Sequence, residues 1–397
     1  MNNKIIIGDN LTELCSEHML KYINSIKMIY IDPPYNTQTT KSYHDIDTSD
    51  IWGKSIKKVI QQLFSYLRED GVIFISIDDS EYANLKVICD SIFTKDNFVG
   101  TFITKQSQRS NSRYINTVHE YILCYAKNIR KLENFCVKRI DIPEQKEMIE
   151  TIIGEVKREF LQNGRVEAEK HLGTLIKKYC EKFNITWLKN YHCVDDLGNV
   201  YFASDLSVPS APRSVSIPSI NLYLEPLKTR GWTSDKRFIE LFNAGLLVFR
   251  ENRPYYKKYL SESTDNAPSI LNFYSRQGTN DLNKLGLRGL FDTPKPVELI
   301  KFLIRISNVK SSDIVLDCFG GSGTTMQSVT EVNIEDRKDI DCILIQQKEE
   351  INSKTSIYSN CSKYNIAPYV SEILKLRVKK VFEKYNIDTN LIEIIEN

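Results

Sequence analysis

Residues 315–325 read VLDCFGGSGTT: an apolar strand, a glycine-rich turn, and the threonine-led start of a helix. Gly320, Gly321 and Gly323 allow close backbone approach to a ligand, and the helix N-terminus offers N–H groups without partners inside the helix. The turn invites comparison with a phosphate loop, but the loop contains no lysine. Its glycines also lack the G-x-G-x-x-G spacing of dinucleotide sites, so a P-loop hydrolase is excluded. A lysine-free turn of this kind suits a phosphate-free ligand with a zwitterionic amino-acid end. The ligand's carboxylate would accept from loop amides, leaving Asp317 for its ammonium. A purely structural strand–turn–helix satisfies the same pattern.

Outward from this segment, strand and helix signals alternate. A helix is expected over 296–307, a helix from about 324, a strand over 342–346 (CILIQ) and an amphipathic helix over 369–385. The first 130 residues alternate too. MIYI (28–31), GVIFISI (71–77), NFVGTFIT (97–104) and EYILCYA (120–126) read as strands, with helices over 52–68 and 81–93. The first helix carries Ile56, Val59, Ile60, Leu63, Phe64 and Leu67 at helical spacing. Such alternation predicts a mostly parallel sheet covered by helices on both faces. Between 131 and 285 the pattern breaks into a charged, helix-rich stretch and then Pro/Gly/Ser-punctuated segments such as SVPSAPRSVSIPS (207–219). The expected organisation is one α/β domain built from residues 1–130 and 286–397, interrupted by a mixed α+β module over 131–285.

A second motif, IDPPYNT (31–37), follows the MIYI strand. An exocyclic amine such as adenine N6 is a weak nucleophile because its lone pair is delocalised into the ring. Two acceptors, each taking one N–H, would draw the nitrogen towards sp³ and aim the lone pair at an incoming methyl group. Asp32 and the carbonyl of Pro33 can serve, and the Pro33–Pro34 pair stiffens the loop that holds them. Tyr35 offers an aromatic face for a base turned out of its helix. Asp-Pro-Pro is also ordinary turn chemistry at a strand exit. Elsewhere, Lys295 stands between two prolines in FDTPKPVELI (291–300), a rigid place for a cation to meet a carboxylate.

Two basic stretches suit contact with a phosphate backbone. One is QSQRSNSRY (106–114) with Lys105, Arg109 and Arg113; the other is RENRPYYKKY (250–259) with Arg250, Arg253, Lys257 and Lys258 among tyrosines. Solvated surface loops explain both nearly as well. The formal net charge is only +2, so any nucleic-acid surface has to be local. The nine cysteines form no C-x-x-C pair, which favours buried reduced thiols over a metal or disulfide role. No signal peptide and no apolar run of transmembrane length is read, so the chain is expected in the cytoplasm.

The tetrapeptide before the glycine segment, in this order, resembles the β group of amino-methyltransferases. KIIIGDNL (4–11), GVIFISIDDSEYANLK (71–86), IFTKDNFVG (92–100), HEYILCYAKN (119–128), GWTSDKRFIELFNAGLLVF (231–249), FDTPKP and CILIQQKEE (342–350) extend the likeness to Mod subunits of type III restriction–modification systems. The resemblance implies a Rossmann-like methyltransferase domain using S-adenosylmethionine and no metal, with 131–285 as its target-recognition module. It implies methylation of adenine N6 in duplex DNA by base flipping, with Asp32, Pro33, Pro34 and Tyr35 around the base. The implied cofactor residues are Asp9 near the adenine, Asp32, Asp317, Phe319, Gly320, Gly321, Ser322, Gly323 and Thr324 in or beside the loop, and Glu349 at the ribose. Thr293 and Lys295 belong to the carboxylate end. Double-stranded DNA and a second copy of the chain are the implied partners. A restriction subunit or a solitary modification role both remain open, as do cytosine N4, RNA adenine and a catalytically silent DNA-reading subunit.

Overall fold

The computed structural model describes residues 3–36, 49–105 and 114–396. The chain divides into two compact units, one of Met1–Phe135 with Ala267–Asn397, the other of Cys136–Asn266. The first is built on a nine-stranded sheet. Its strands are β1 (Asn3–Ile7), β2 (Ile26–Ile31), β3 (Leu67–Ile77), β4 (Phe98–Lys105), β5 (His119–Ala126), β6 (Ile270–Tyr274), β7 (Ile314–Asp317), β8 (Asp341–Gln346) and β9 (Ile392–Glu396). They run in the order β6-β4-β5-β3-β2-β7-β8-β1-β9, and all pairings are parallel except those of β5 with β3 and β4. Every residue of β2 is buried, as is all of β8 beyond its first residue. Continuous apolar strands of this kind require cover on both faces, and each fully buried isoleucine contributes roughly 2 kcal/mol.

The helices that bear on the site are α1 (Ser49–Tyr66), α2 (Tyr82–Phe93), α3 (Ser275–Lys284), α4 (Val297–Ile306), α5 (Thr324–Glu335) and α6 (Val370–Lys384). α1 buries Trp52, Ile56, Val59, Ile60, Leu63 and Tyr66. It ends before Leu67, which opens β3 instead of continuing the helical stripe. Chain connections diverge at the middle of the sheet: β2 leads through α1 to β3 on one side, and β7 leads through α5 to β8 on the other. The C-terminal ends of neighbouring strands β2 and β7 therefore open a crevice, the place where doubly wound sheets bind ligands.

The second unit contains the helical stretch Pro143–Phe183, broken at Gly164 (φ 81, ψ −178), and a four-stranded antiparallel sheet. That sheet runs Leu247–Arg250, Arg253–Tyr259, Val200–Asp205, Cys193–Val194. Met148, Ile149, Ile152, Leu172 and Leu188 are among its buried core residues.

Two sequence expectations need correction. The inserted unit ends at Asn266, not 285, because Ile270–Tyr274 pairs in parallel with β4 and α3 follows directly. Cys15 and Cys136 are exposed, while the other seven cysteines are buried; all nine are free. No helix among the described residues is long and apolar enough to cross a membrane.

Candidate active site

A cavity of about 630 Å³ occupies the crevice. Its walls include Asp32, Pro33, Pro34 and Tyr35 after β2, Asp317 to Ser322 without Cys318 after β7, and Gln346, Gln347 and Glu349 after β8. Thr293 and Lys295 reach it from the segment before α4. That segment is held close by α3: a Cβ on Gly278 would lie 1.8 Å from the Pro294 carbonyl oxygen, so only glycine lets the helix approach.

The tetrapeptide loop is locked by its neighbours. Trp52 Nε1 donates to the Pro34 carbonyl at 2.7 Å, and Asn36, with φ 58, donates to Glu81 at 2.9 Å. Glu81 also accepts from Ser49 and from Asn84. Tyr35 is buried at 7% exposure and donates its hydroxyl proton to Asp32 Oδ1 at 2.7 Å. Burial and the charges of Asp32 and Glu120 raise its pKa well above that of free tyrosine, so the phenol is neutral.

Lys295 sits at the heart of the cluster. Its ammonium lies 2.6 Å from Tyr35 Oη, 3.0 Å from Glu120 Oε2 and 3.1 Å from Asp32 Oδ1. It also stands 4.9 Å from the Tyr35 ring centroid. Burial would lower the lysine pKa, but the charges of Asp32 and Glu120 outweigh it and hold the group charged. Lys295 was expected at a ligand carboxylate; the structure engages it with Asp32, Tyr35 and Glu120. Glu120, on β5, was not picked out by sequence reasoning. Its signal is a lone carboxylate opening the apolar run EYILCYA.

The glycine turn is braced from within. Asp317 accepts from Phe319 N–H at 2.9 Å and from the Thr325 hydroxyl at 2.6 Å. Burial, with the Asp32 charge nearby, raises its pKa to about 7. Gly321 (φ 52) and Gly323 (φ 83) occupy the left-handed region that makes the turn possible. The loop amides expected to meet a ligand are largely spent: Gly320 N–H goes to the Ile345 carbonyl, Gly321 N–H to Gln346 Oε1, and Gly323 N–H to the Gly320 carbonyl. Nor does the loop lack a cation. Arg377 of α6, fully buried, donates to Ser322 Oγ and Thr324 Oγ1, both at 2.8 Å. In the sequence it is one cation among many in LKLRVKK.

The remaining expected residues divide. Glu349, Phe319, Ser322, Thr324 and Thr293 line the cavity. Gly323 does not; it caps α5. Asp9 is exposed and caps the short helix Asn10–Leu14, accepting from Thr12 N–H at 2.9 Å, and its neighbour Asn10 reaches the cavity instead. Lys105 ends β4, with its ammonium 6.0 Å from the Tyr274 ring centroid. Arg109 and Arg113 lie outside the described residues. In the inserted unit, Arg250 donates to Cys193 Sγ, Arg253 pairs with Asp205 at 2.9 Å, and Lys257 stands 5.8 Å from the Tyr201 ring centroid.

The sequence profile of the DNA methylase family matches residues 26–358, and the chain belongs to that family. Among individual proteins, it is similar to the EcoPI Mod subunit of Escherichia phage P1, a type III restriction–modification enzyme, at 29% identity over 96% of this chain and 62% of the relative. The EcoP15I Mod subunit of Escherichia coli is 29% identical over 88% of this chain and 59% of the relative. The type II methyltransferase M.KpnI of Klebsiella pneumoniae is 29% identical over 90% of this chain and 83% of its own length. The chain thus spans about three fifths of the length of these two Mod subunits.

Proposed function

We propose that the protein transfers a methyl group from S-adenosylmethionine to adenine N6 in duplex DNA. The observation that carries this reading is the Asp32 carboxylate, held by Tyr35 at the end of β2 beside the glycine turn at the end of β7. The cavity's residues fit the cofactor. Phe291, Phe319 and Val370 give apolar wall for its adenine, Glu349 an acceptor for ribose hydroxyls, and Asp317 a carboxylate for its ammonium. When bound, the cofactor supplies an electrophilic methyl group on a sulfonium.

The chain's own residues supply orientation. Asp32 and the Pro33 carbonyl accept the two amine hydrogens, which concentrates the lone pair on nitrogen. Pro34 is anchored by Trp52, so the acceptors are positioned before the base arrives. The charged cluster of Lys295, Asp32 and Glu120 keeps the site polar and fixed, the usual source of electrostatic catalysis. The unit of Cys136–Asn266 is assigned to target recognition, and its Arg250, Arg253 and Lys257 are candidate DNA contacts, as are Lys105, Arg109 and Arg113 of the other unit. The likeness to Mod subunits supports a restriction–modification role; a second copy of the chain is the proposed partner, which light scattering tests.

The test of the reaction is nucleoside mass spectrometry after incubation of protein and S-adenosylmethionine with genomic DNA, and separately with RNA. N6-methyladenine in DNA is expected. N4-methylcytosine, methylation of RNA alone, or no methylated nucleoside contradicts the proposal.

A further inference from the structure

We propose that Arg377 is a positioning residue for the carboxylate of the bound cofactor, acting from behind the glycine turn through Ser322 and Thr324. The inference rests on the cofactor reading above. Arg377 projects from α6 and is 0% exposed. Its Nη1 donates to Ser322 Oγ and Thr324 Oγ1 at 2.8 Å each, and its Nε to Gln327 Oε1 at 2.9 Å. All three acceptors are neutral. Its Nη2 has no hydrogen-bond partner.

A buried cation without a paired anion is costly, and proteins retain one where an anion can answer it. The acids that act on Arg377 at longer range, Asp281 and Glu331, are already engaged. Asp281 accepts from Val297 N–H and pairs with Lys284, while Glu331 takes Lys301, Gln327 and Tyr385. Burial lowers the guanidinium pKa only to about 10, so the group stays charged at neutral pH.

Two further observations direct the missing anion to the cavity. Lys295, the cation expected at the carboxylate, is engaged by Asp32, Glu120 and Tyr35. The amides of Gly320, Gly321 and Gly323 are engaged inside the protein. Ser322 and Thr324, which line the cavity, remain. Because the guanidinium donates to both hydroxyl oxygens, their own protons turn elsewhere. Thr324 gives its proton to the Lys295 carbonyl at 3.3 Å, and the Ser322 hydroxyl, whose other neighbour is Thr324 Oγ1 at a long 3.4 Å, is the donor that turns to a carboxylate. Arg377 fixes that orientation and adds its positive charge behind it.

Calorimetry on the full chain with S-adenosylhomocysteine and with its analogue lacking only the carboxylate tests this. Wild type should prefer the carboxylate-bearing ligand by on the order of tenfold, as one charge-assisted hydrogen bond provides. Arg377→Met should lose that preference while binding the decarboxylated ligand within about twofold of wild type; Arg377→Lys, which keeps the charge, should restore part of it. Equal weakening of both ligands, or unchanged affinity for S-adenosylhomocysteine, overturns the proposal. Should Arg377→Met fail to fold, Ser322→Ala reads the same relay: a selective loss of about threefold supports it, and an equal loss or none overturns it. A wild type that binds neither ligand removes the cofactor reading itself, and this inference with it.

Discussion

Replacing Glu120 by glutamine keeps an acceptor oxygen beside Lys295 but removes one of the two negative charges that share its ammonium. The three ammonium hydrogens face three acceptors, at 2.6 Å, 3.0 Å and 3.1 Å. With Asp32 and Glu120 ionised the cluster carries one net negative charge; with glutamine it carries none. Lys295 then presses its full charge on Asp32, the group that accepts an amine hydrogen in the proposed reaction. Lys295 still donates to the glutamine oxygen, but an ion pair becomes an ion–dipole hydrogen bond, a loss of about 1–1.5 kcal/mol from the Lys295–residue 120 contact. The same amount reappears as a tighter hold on Asp32. Since 1.36 kcal/mol is tenfold in rate, kcat should fall about tenfold. Methyl transfer to an oligonucleotide at saturating cofactor measures this, and calorimetry with S-adenosylhomocysteine should show affinity within about twofold of wild type. A kcat within twofold of wild type would refute the assigned role of Glu120. So would a loss of cofactor affinity that matches the loss of rate.

Three further outcomes follow from the same geometry. Gly278→Ala places a methyl group 1.8 Å from the Pro294 carbonyl, so the α3–TPKP contact has to open. A cost of about 1–3 kcal/mol in thermal unfolding and on the order of a hundredfold in kcat are expected, because Lys295 moves with that segment. Asp317 keeps its proton to about pH 7 in the folded chain and releases it near 4 when unfolded. The folded state binds more protons between those values, so stability falls as pH rises through that window, while affinity for S-adenosylhomocysteine rises about tenfold from pH 6 to 8; Asp317→Asn should flatten both profiles. Trp52→Phe removes the donor to the Pro34 carbonyl and should cost about 1 kcal/mol in stability, with kcat reduced and cofactor affinity preserved in the same assays.

The elements legible in the sequence are those whose burial is continuous. β2, β8 and the 71–77 part of β3 are buried and mostly apolar, and α1 declares itself by its buried stripe from Ile56 to Leu63. β6 is not legible because ILNFY alternates exposure at a sheet edge and looks like a loop, so the sequence pattern alone extends the inserted unit past Asn266. The site was readable where one short segment holds the chemistry, as at Asp32 to Tyr35 and Asp317 to Thr324. It was not readable where partners meet across the fold. Lys295 meets a carboxylate 175 positions away in Glu120, and Arg377 meets Ser322 across 55. Spacing along the chain carries no record of either meeting. Asp9 shows that one sequence signal can carry two roles: an acid before a helix is also an N-cap, and Asp9 caps the helix Asn10–Leu14.

The most direct test of the central claim compares wild type with Asp32→Ala in one experiment, with N6-methyladenine in duplex DNA measured by nucleoside mass spectrometry and cofactor binding by calorimetry. Under the proposed function, Asp32 orients the amine and the turn after β7 holds the cofactor. The variant should therefore form no N6-methyladenine while binding S-adenosylhomocysteine within a few-fold of wild type. Methylation by Asp32→Ala at a rate near that of wild type would contradict the account.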